Sequence, residues 1–595
     1  MTSFPLIRTR LSNERLMTAL LSVLILYNLP RWIARPADVG SALLLLLFGL
    51  VLDTAVNYFR FHRPLCAVSA AITVFIQYTL SPGAPVWGEL LALMAALLFG
   101  KHIWGGAGKN PINPAMVGLL ILGLLFQVKM PVFIASYWLL PAIVLSLPFM
   151  AFRPFAALGM MSGMTAALLL HQNLTWAGLV SYGVVLWSCL VITDPVTTTA
   201  KPPEGFVIGI LAGFAPLAAG DSTAAMALAV LVTNSLSAAA DHLSSRTGMP
   251  VHLKFKKRRQ ILFSRENTAY HDMSGDAPPA GIAADMPADM MADEILRRIG
   301  RSKVFGFGGA AFPTEQKIRT VMNAKASEKH LIVNGAECDP GLIHDKWLLT
   351  HRSDAIMQGI EWLRRCVPFA TITVAAKNIA GLAFSPPVRL RRVPDYYPAG
   401  AEKILIRNIL RMNLDYNVIP AAEGILVLNV QTVFSIYEAV SLNRPADSRL
   451  ITLADMNANT GRVMRVRLGS KVQDVMEKAG TAGIFIGGGI MNARIADADA
   501  VVGETVNFLA AGRYPKYIES LQCSRCGLCS AVCPARLPVR ELAFFVDEGK
   551  PERAMRFHPE QCLSCGSCSY VCLAGKNLAA KVAELKKQQS LPPAP

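Results

Sequence analysis

Eight of the chain's twelve cysteines fall into two runs of identical spacing, and these runs dictate what the C-terminal end folds around. Cys523, Cys526, Cys529 and Cys533 form C-x2-C-x2-C-x3-C, and Cys562, Cys565, Cys568 and Cys572 repeat it. Such a triplet wraps one cubane from a single tight loop, and the fourth Cys of each run ligates the other cluster. The spacing therefore predicts two [4Fe–4S] clusters. One takes Cys523, Cys526, Cys529 and Cys572; the other takes Cys562, Cys565, Cys568 and Cys533. Gly527 and Gly566 let the backbone approach. Zinc sites normally use paired C-x2-C units, and disulfides do not suit a cytosolic segment. Leu573 stands where the pattern usually has Pro, which changes loop shape and not ligand count.

The rest of the chain is apolar: 53% of 595 residues are hydrophobic and only 17% charged, against about 25% charged in soluble proteins. Several domains are expected at this length. Apolar runs near 16–34, 40–58, 65–81, 87–101, 114–128, 132–150, 154–171, 176–193, 205–219 and 222–240 predict about ten helices. Several are shorter than the roughly 20 residues of a full span, so one or two are candidates for half-helices or re-entrant segments. The first run follows Arg8, Arg10 and Arg15 and lacks a small-residue cleavage site, so it reads as retained. Lys and Arg concentrate in the loops on the N-terminal side, which places both termini in the cytoplasm of a bacterial inner-membrane protein. That bias explains the net charge of +17 better than nucleic-acid binding, for which no motif is present. Asp53, Glu89 and Asp194 lie in or beside the helices, and intramembrane charge points to function by default.

Two membrane loops, KHIWGGAGKNPINPAMVG (101–118) and TDPVTTTAKPPEG (193–205), free backbone groups at a membrane boundary. Such backbone persists only where protein or a cavity covers it. Together they resemble the D subunit of the Rnf electron-transport complex and the B subunit of sodium-translocating NADH:quinone reductase, over most of residues 1–245. That family carries a covalent flavin phosphate on the Thr of an SGAT-type loop. Here the matching connection is QVKM, near 127–130. The nearest look-alike is Ser162–Thr165 (SGMT) inside an apolar run, where Gly159 and Gly163 make a helix-packing GxxxG the better reading. Covalent FMN is therefore not expected.

After the membrane half, Lys254, Lys256, Lys257, Arg258 and Arg259 read as an anchor to anionic lipid, and 274–293 as a linker. In VFGFGGAAFPTEQKI (304–318) a glycine turn runs into a helix, an arrangement that offers N–H groups to a phosphate, with Lys317 one turn in. LIVNGAECDPGLIHDK (331–346) reads as a buried strand ending in a polar loop, where α/β proteins place ligand contacts. With YYPAGAEKILI (396–406) and ILVLNVQTVFSIYEAV (425–440), these segments resemble the Rnf C subunit and, more distantly, the flavin-bearing NADH-oxidising subunit of complex I. The resemblance implies non-covalent FMN and NAD(P)H as substrate. Gly306, Gly308, Gly309 and Lys317 would contact flavin phosphate and nucleotide. Asn334, Glu337 and Asp339 would surround the flavin or nicotinamide, with Glu402, Asn429 and Thr432 completing the pocket and Glu337 and Lys317 as the catalytic candidates. The sequence departs from the family at Ala311 and Gln431, where the family has Gly, and at Ala336, where complex I has Asp.

Residues 460–510 resemble the β-grasp (SLBB-like) domain of the same subunits, with Gly487–Gly489 as a spacer turn. The expected organisation is a polytopic α-helical membrane domain (1–245), a basic anchor and linker (246–294), an FMN/NAD(H)-binding α/β domain (295–450), a β-grasp domain (451–512) and a two-cluster ferredoxin-like domain (513–595). The predicted function is electron transfer from NAD(P)H through FMN and two clusters to a redox partner: a ferredoxin, an oxygenase or other Rnf-like subunits. Three further readings stand beside it: a subunit of an ion-translocating Rnf-type complex, the reverse reaction that reduces NAD from ferredoxin, and an electron-relay scaffold without catalytic flavin.

Overall fold

The computed structural model describes residues 12–61, 67–106, 110–128, 153–170, 187–194, 197–199, 202–219, 222–247, 269–272 and 291–590, the last without 310, 338, 416, 482, 513–522 and 524. The predicted helix 132–150, most of 176–193 and the 254–259 basic cluster lie outside the described residues.

Three N-terminal helices are long and apolar enough to cross a membrane: Arg15–Ala34, Ala37–Arg60 and Val86–Trp104. Shorter apolar helices follow at Pro114–Phe126, Pro154–Leu170 and within Pro202–Ala219 and Thr223–Thr247. The N-terminal half is thus a multi-pass membrane anchor. Two of its helices approach so closely that only glycine fits between them. A Cβ on Gly159 would collide with the Phe206 carbonyl, and one on Gly163 with that of Ile210. In return, Gly209 faces the Ala156 carbonyl and Gly213 that of Met160. In lipid, where apolar side chains gain nothing by leaving solvent, such backbone contact is what holds helices together. Ser162–Thr165 lie inside the same helix Pro154–Leu170, and Ser162 Oγ donates back to the Leu158 carbonyl at 2.8 Å.

The irregular loop after Val86–Ala95 is covered by protein. Lys101 Nζ and His102 Nε2 both reach Asp53 Oδ1 at 2.8 Å, all three buried. Arg60 donates to the His102 carbonyl at 2.6 Å. Asn113 caps Pro114–Phe126 by accepting from Ala115 N, and its own amide donates to Asn234 Oδ1. Glu89, in the first turn of its helix, is buried and accepts from Ser81 Oγ. Asp194 accepts from Thr197 Oγ1.

The C-terminal half is mixed α/β followed by a cysteine-rich region. Strands β2 (His330–Gly335), β3 (Thr371–Ala376), β4 (Val388–Arg392) and β5 (Ile425–Asn429) form a parallel sheet in the order β4-β3-β2-β5. The chain runs from β2 outward to β4, then returns to the other side of β2 for β5. Parallel strands buried on both faces read as continuous apolar runs, which LIV and ILVL supply. A second sheet has the order β1-β7-β6-β10-β8-β9. In it β6 (Ser448–Asp455) and β7 (Thr460–Arg467) make a hairpin, followed by helix Val472–Lys478, β8 (Gly483–Gly487), β9 (Arg494–Ile495) and β10 (Phe508–Ala511). Strand β1 (Ala269–Asp272), inside the stretch read as anchor and linker, pairs parallel to β7.

The cysteine-rich region repeats itself. Left-handed residues recur at Arg525 and Ser564, Gly527 and Gly566, and Arg536 and Gly575. Each triplet ends in a one-turn helix, Leu528–Ala531 or Ser567–Tyr570, and leads to a longer one, Val539–Asp547 or Leu578–Ser590. Ser530 Oγ accepts from Arg540 N and Ser569 Oγ from Ala579 N at matching places.

Gly163→Leu or Gly213→Leu is expected to force the two membrane backbones apart. Overpacking of this kind costs roughly 1–3 kcal/mol. The checking measurement is thermal stability of the detergent-solubilised chain. Ala166→Leu, on the exposed face of the same helix, is the control expected to change little.

Candidate functional site

The parallel sheet reverses direction between β2 and β5, and the C-terminal ends of adjacent strands at such a point form a crevice for ligands. Asn334 closes β2 and Asn429 closes β5. Asn334 donates to the Gly400 carbonyl at 2.9 Å and accepts from Ala336 N. Asn429 caps helix Val430–Ser441 by accepting from Gln431 N, and donates to Asp345 Oδ2 at 2.8 Å and to the Asn334 carbonyl at 3.4 Å.

The glycine turn lies over this edge. Thr432 Oγ1 accepts from Phe307 N at 3.0 Å, and Gly308 sits against Asn429 Cβ. Gly306 N donates to the Phe312 carbonyl and Ala311 N to that of Gly306, closing the turn. The amides of Gly308 and Gly309 have no acceptor among the described residues, and the space beside Gly309 (φ 111°) is open. The buried Thr314 hydroxyl, at the start of helix Thr314–Asn323, also lacks a partner there. Free amides, an open cradle and a helix N-terminus fit an anionic phosphate. Lys317 does not point free into this space: Nζ pairs with Glu402 Oε1 at 2.7 Å and donates to the Val427 carbonyl at 2.9 Å. Its charge is tied to strand β5, two residues before Asn429.

Below the turn two carboxyls share a buried place. Glu337 (φ 41°) accepts from Asp345 N at 2.9 Å. Burial, and then the neighbouring Asp345, pushes Glu337 up to about 8, and burial pushes Asp345 up to about 7. Two like charges cannot both be accommodated in one dry site, so the pair retains a proton near neutral pH. Asp345 Oδ1 has no hydrogen-bond partner among the described residues and faces His344 Nε2 at 3.7 Å. Burial lowers His344 to about 3, so it stays neutral. Arg449, fully buried, donates to the carbonyls of Phe307 and Gly503 and reaches Asn507 and Glu504 as well. Asp339 turns away from the crevice. Its carboxylate accepts from Gly341 N, Ile490 N and Met491 N, and Gly489 packs directly on it. The amides after Gly487–Gly489 are therefore taken by a side chain of this chain.

At the far end, Cys533, Cys562, Cys565 and Cys568 line one cavity walled by Leu537, Val539 and Val582. Three of these thiols come from the second run and one from the first. Burial and then Cys565 push Cys533 up to about 12. Cys529 is raised by burial, then by Cys526, Cys523, Cys572 and, least, Cys568; its strongest neighbours are the first run and the last cysteine. Thiols crowded in an apolar cavity cannot ionise on their own account; the donor set calls for a cationic cluster, on which thiolates are the ligands. Backbone amides of Arg525, Leu537 and Ser564 donate to Cys523, Cys533 and Cys562 sulfurs at 3.4 Å each, contacts that stabilise added negative charge.

Sequence reading singled out Glu337 but passed over Asp345, His344 and Arg449. Asp345 was within reach, because it stands in the same polar loop. Arg449 was not, because it opens a strand far along the chain and meets the turn only through the second sheet.

Three known families match in succession along the chain. Residues 1–147 match the NQR2, RnfD, RnfE family, 299–438 the Nuo51 FMN-binding domain, and 522–576 the 4Fe-4S dicluster domain. The C subunit of the ion-translocating oxidoreductase complex of Haemophilus influenzae (strain 86-028NP) is 31% identical over 270 residues, covering 42% of this chain and 40% of that protein. The C subunit of the same complex in Pseudomonas aeruginosa is 32% identical over 269 residues, covering 42% and 34%. The chain thus spans well under half the length of these relatives. Among solved structures, an NAD+-reducing [NiFe]-hydrogenase in the H2-reduced state overlaps with 16% identity and a TM-score of 0.37, over 55% of this chain and 68% of that one. An RnfD/NqrB-like membrane domain is thus joined on one chain to an RnfC-like half with FMN-binding and 4Fe-4S dicluster matches.

Glu337 and Asp345 fix the sign of one pH effect. Both folded values are raised, so the folded state holds protons that the unfolded chain has released. Stability from this pair is full below about pH 4 and falls as pH rises to about 8. Asp345→Asn is expected to flatten that fall and to raise the melting temperature most near pH 8. Melting curves of the purified chain across this range check it; an unchanged slope would count against the shared buried site.

Proposed function

We propose that this chain is the fused membrane-anchor and electron-entry subunit of an Rnf-type electron-transport complex, exchanging electrons between NAD(P)H and the membrane through FMN and two [4Fe–4S] clusters. The observation that carries the reading is the order of the matched families on one polypeptide: membrane family, FMN-binding domain, dicluster domain. This order favours a member of a larger complex over a free-standing flavoprotein with a soluble acceptor. The other subunits of such a complex are the proposed partners.

When bound, FMN supplies hydride chemistry on one side and single-electron chemistry on the other. Gly308 and Gly309 hold its phosphate with backbone amides, on a turn that Gly306 closes. Asn334, Asn429 and Thr432 fix the crevice edge through the bonds described above. Lys317 and Glu402 act as a pair that locks the helix after the turn to β5. Glu337 and Asp345 hold one proton between them beside the crevice, available to a group whose charge changes there. Asp339 serves as a strut: it ties the loop after β2 to the turn 487–491 and so sets the spacing between flavin pocket and cysteines. The sheet β6–β10 is read as a β-grasp spacer; a hairpin, a helix and a last strand parallel to the first support that reading.

Anaerobic mixing with NADH and with NADPH, watching cluster absorption, tests the donor. Bleaching with one nucleotide is expected; bleaching with neither sinks the nicotinamide reading. Flavin released on denaturing the same preparation is expected to be free FMN. Glu337→Gln is expected to slow bleaching by about a hundredfold, the low end of the usual range for removing a proton-holding group, while iron content is retained.

A further inference from the structure

The two halves of the cysteine-rich region are alike inside and unlike outside. Cys526 and Cys565 occupy matching places, each the second Cys of its run. The Cys565 carbonyl accepts from Tyr397 Oη at 2.6 Å. Tyr397 belongs to the α/β half, in the segment that precedes helix Glu402–Leu410. The Cys526 carbonyl accepts from Arg153 Nη2 at 2.5 Å. Arg153 belongs to the membrane half, immediately before helix Pro154–Leu170, and is buried. One carbonyl thus takes a neutral donor from the flavin side, and its counterpart takes a guanidinium from the membrane side.

The packing follows the same polarity. Gly566 is pressed against the Met491 carbonyl, in the turn that Asp339 pins. Tyr397, Ile490, Met491, Val532, Tyr570 and Val571 share one apolar cluster, with Cys565 at its edge. Leu573 is buried in a different cluster, with Ala156, Met160 and Trp187 of the membrane half, and Cys526 and Leu528 pack against that cluster. The position that usually carries Pro here carries an apolar plug into the membrane half.

We infer that Arg153 and Tyr397 are matched positioning residues that make the two clusters inequivalent, Arg153 biasing the cluster on Cys523, Cys526, Cys529 and Cys572 to the higher potential. An electron on this region then rests on the membrane side. The step is electron exchange between two like groups: the electron lost by the cluster on the flavin side is the one gained by its neighbour, and no bond or proton changes. The physical cause is charge. A cluster's potential follows nearby charge, hydrogen bonding and exposure, and a buried guanidinium, always protonated, acts with little screening. Among the described residues, other cations do not cancel the difference. Lys586 donates to the Cys562 carbonyl on the flavin-side cluster but is half-exposed, so water screens it. Arg525 lies by Cys523, on the same side as Arg153.

This inference rests on the cysteines as cluster ligands and not on nicotinamide, so the test uses a chemical reductant. The full chain in detergent is titrated with dithionite and redox mediators, with both clusters followed by electron paramagnetic resonance. Two separate midpoints are expected in the wild type. Arg153→Gln is expected to lower the higher one and leave the lower in place. Tyr397→Phe is expected to move only the lower. If Arg153→Gln fails to retain both clusters, Arg153→Lys, which draws the charge back from the carbonyl, is expected to lower the same midpoint by less. Unmoved midpoints in the Arg153 variants, equal shifts in both, or a shift confined to the lower one would overturn the inference. Absence of bleaching with NADH or NADPH, in contrast, would remove the proposed donor and leave this result standing.

Discussion

The crossed grouping of thiols is the constraint on which the C-terminal half depends. The cavity lined by Cys533, Cys562, Cys565 and Cys568 takes one thiol from the first run and three from the second. Neither run forms that cavity alone, so the two fold together. The internal repeat follows: the same left-handed residues, one-turn helices and serine caps appear twice because the same local problem is solved twice. Hydrophobic burial then closes the unit, with Leu542, Leu578, Val582 and Leu585 packed beside Cys529 and Cys533.

Upstream, close backbone approach does comparable work by different means. In the membrane half four glycines let two helices touch main chain to main chain. In the α/β half the glycine turn leaves amides open above the β2–β5 edge. Between them stand buried polar groups that join elements distant in sequence. Gln431 is such a join. It replaces a family glycine, and its amide pairs with Leu450 as a strand would, accepting from Leu450 N and donating to the Leu450 carbonyl. The first sheet is thereby fastened to the second at the point where Arg449 passes beneath Phe307. A buried side chain that satisfies both of its hydrogen-bonding functions specifies a register; left half satisfied it would cost about 1–3 kcal/mol.

The order of modules, the membrane character of the first half and the presence of a dicluster domain were legible in sequence because each rests on local signals: an apolar run, a fixed spacing, a glycine turn before a helix. The crevice was legible in part. Asn334, Glu337, Asn429 and Thr432 all lie along it, since strand ends announce themselves. Asp339 reads the same way in sequence, yet its carboxylate is spent on three backbone amides, two of them in a turn some 150 residues on, and no local pattern encodes that. Lys317 looks like a phosphate ligand by its place in the helix, but its charge is held by Glu402. Arg449, Tyr397 and Arg153 were invisible for the same reason: each acts across a junction between modules, and a junction has no periodicity. Strand β1 illustrates it from the other side. Four residues just before the linker pair with β7, a strand nearly 200 residues on.

The departures from family pattern carry information for this very reason. Ala311 adopts φ 49° where a glycine is usual, a conformation that costs an alanine about 1–2 kcal/mol; the turn tolerates it because Ala311 N and Gly306 N each close a hydrogen bond across it. Gln431 exchanges a glycine for an inter-sheet clamp. Leu573 exchanges a proline for an apolar anchor in the membrane half. The last two changes lie where one module meets the next, and both add contact. A proline in a cluster loop shapes that loop alone. A leucine at the same place also binds a neighbour, which is of use only if the neighbour is always present. Fusion into one chain supplies that condition, because the membrane half is then at fixed stoichiometry and high effective concentration. Leu573 therefore does more than shape its loop: it joins the cysteine region to the membrane half.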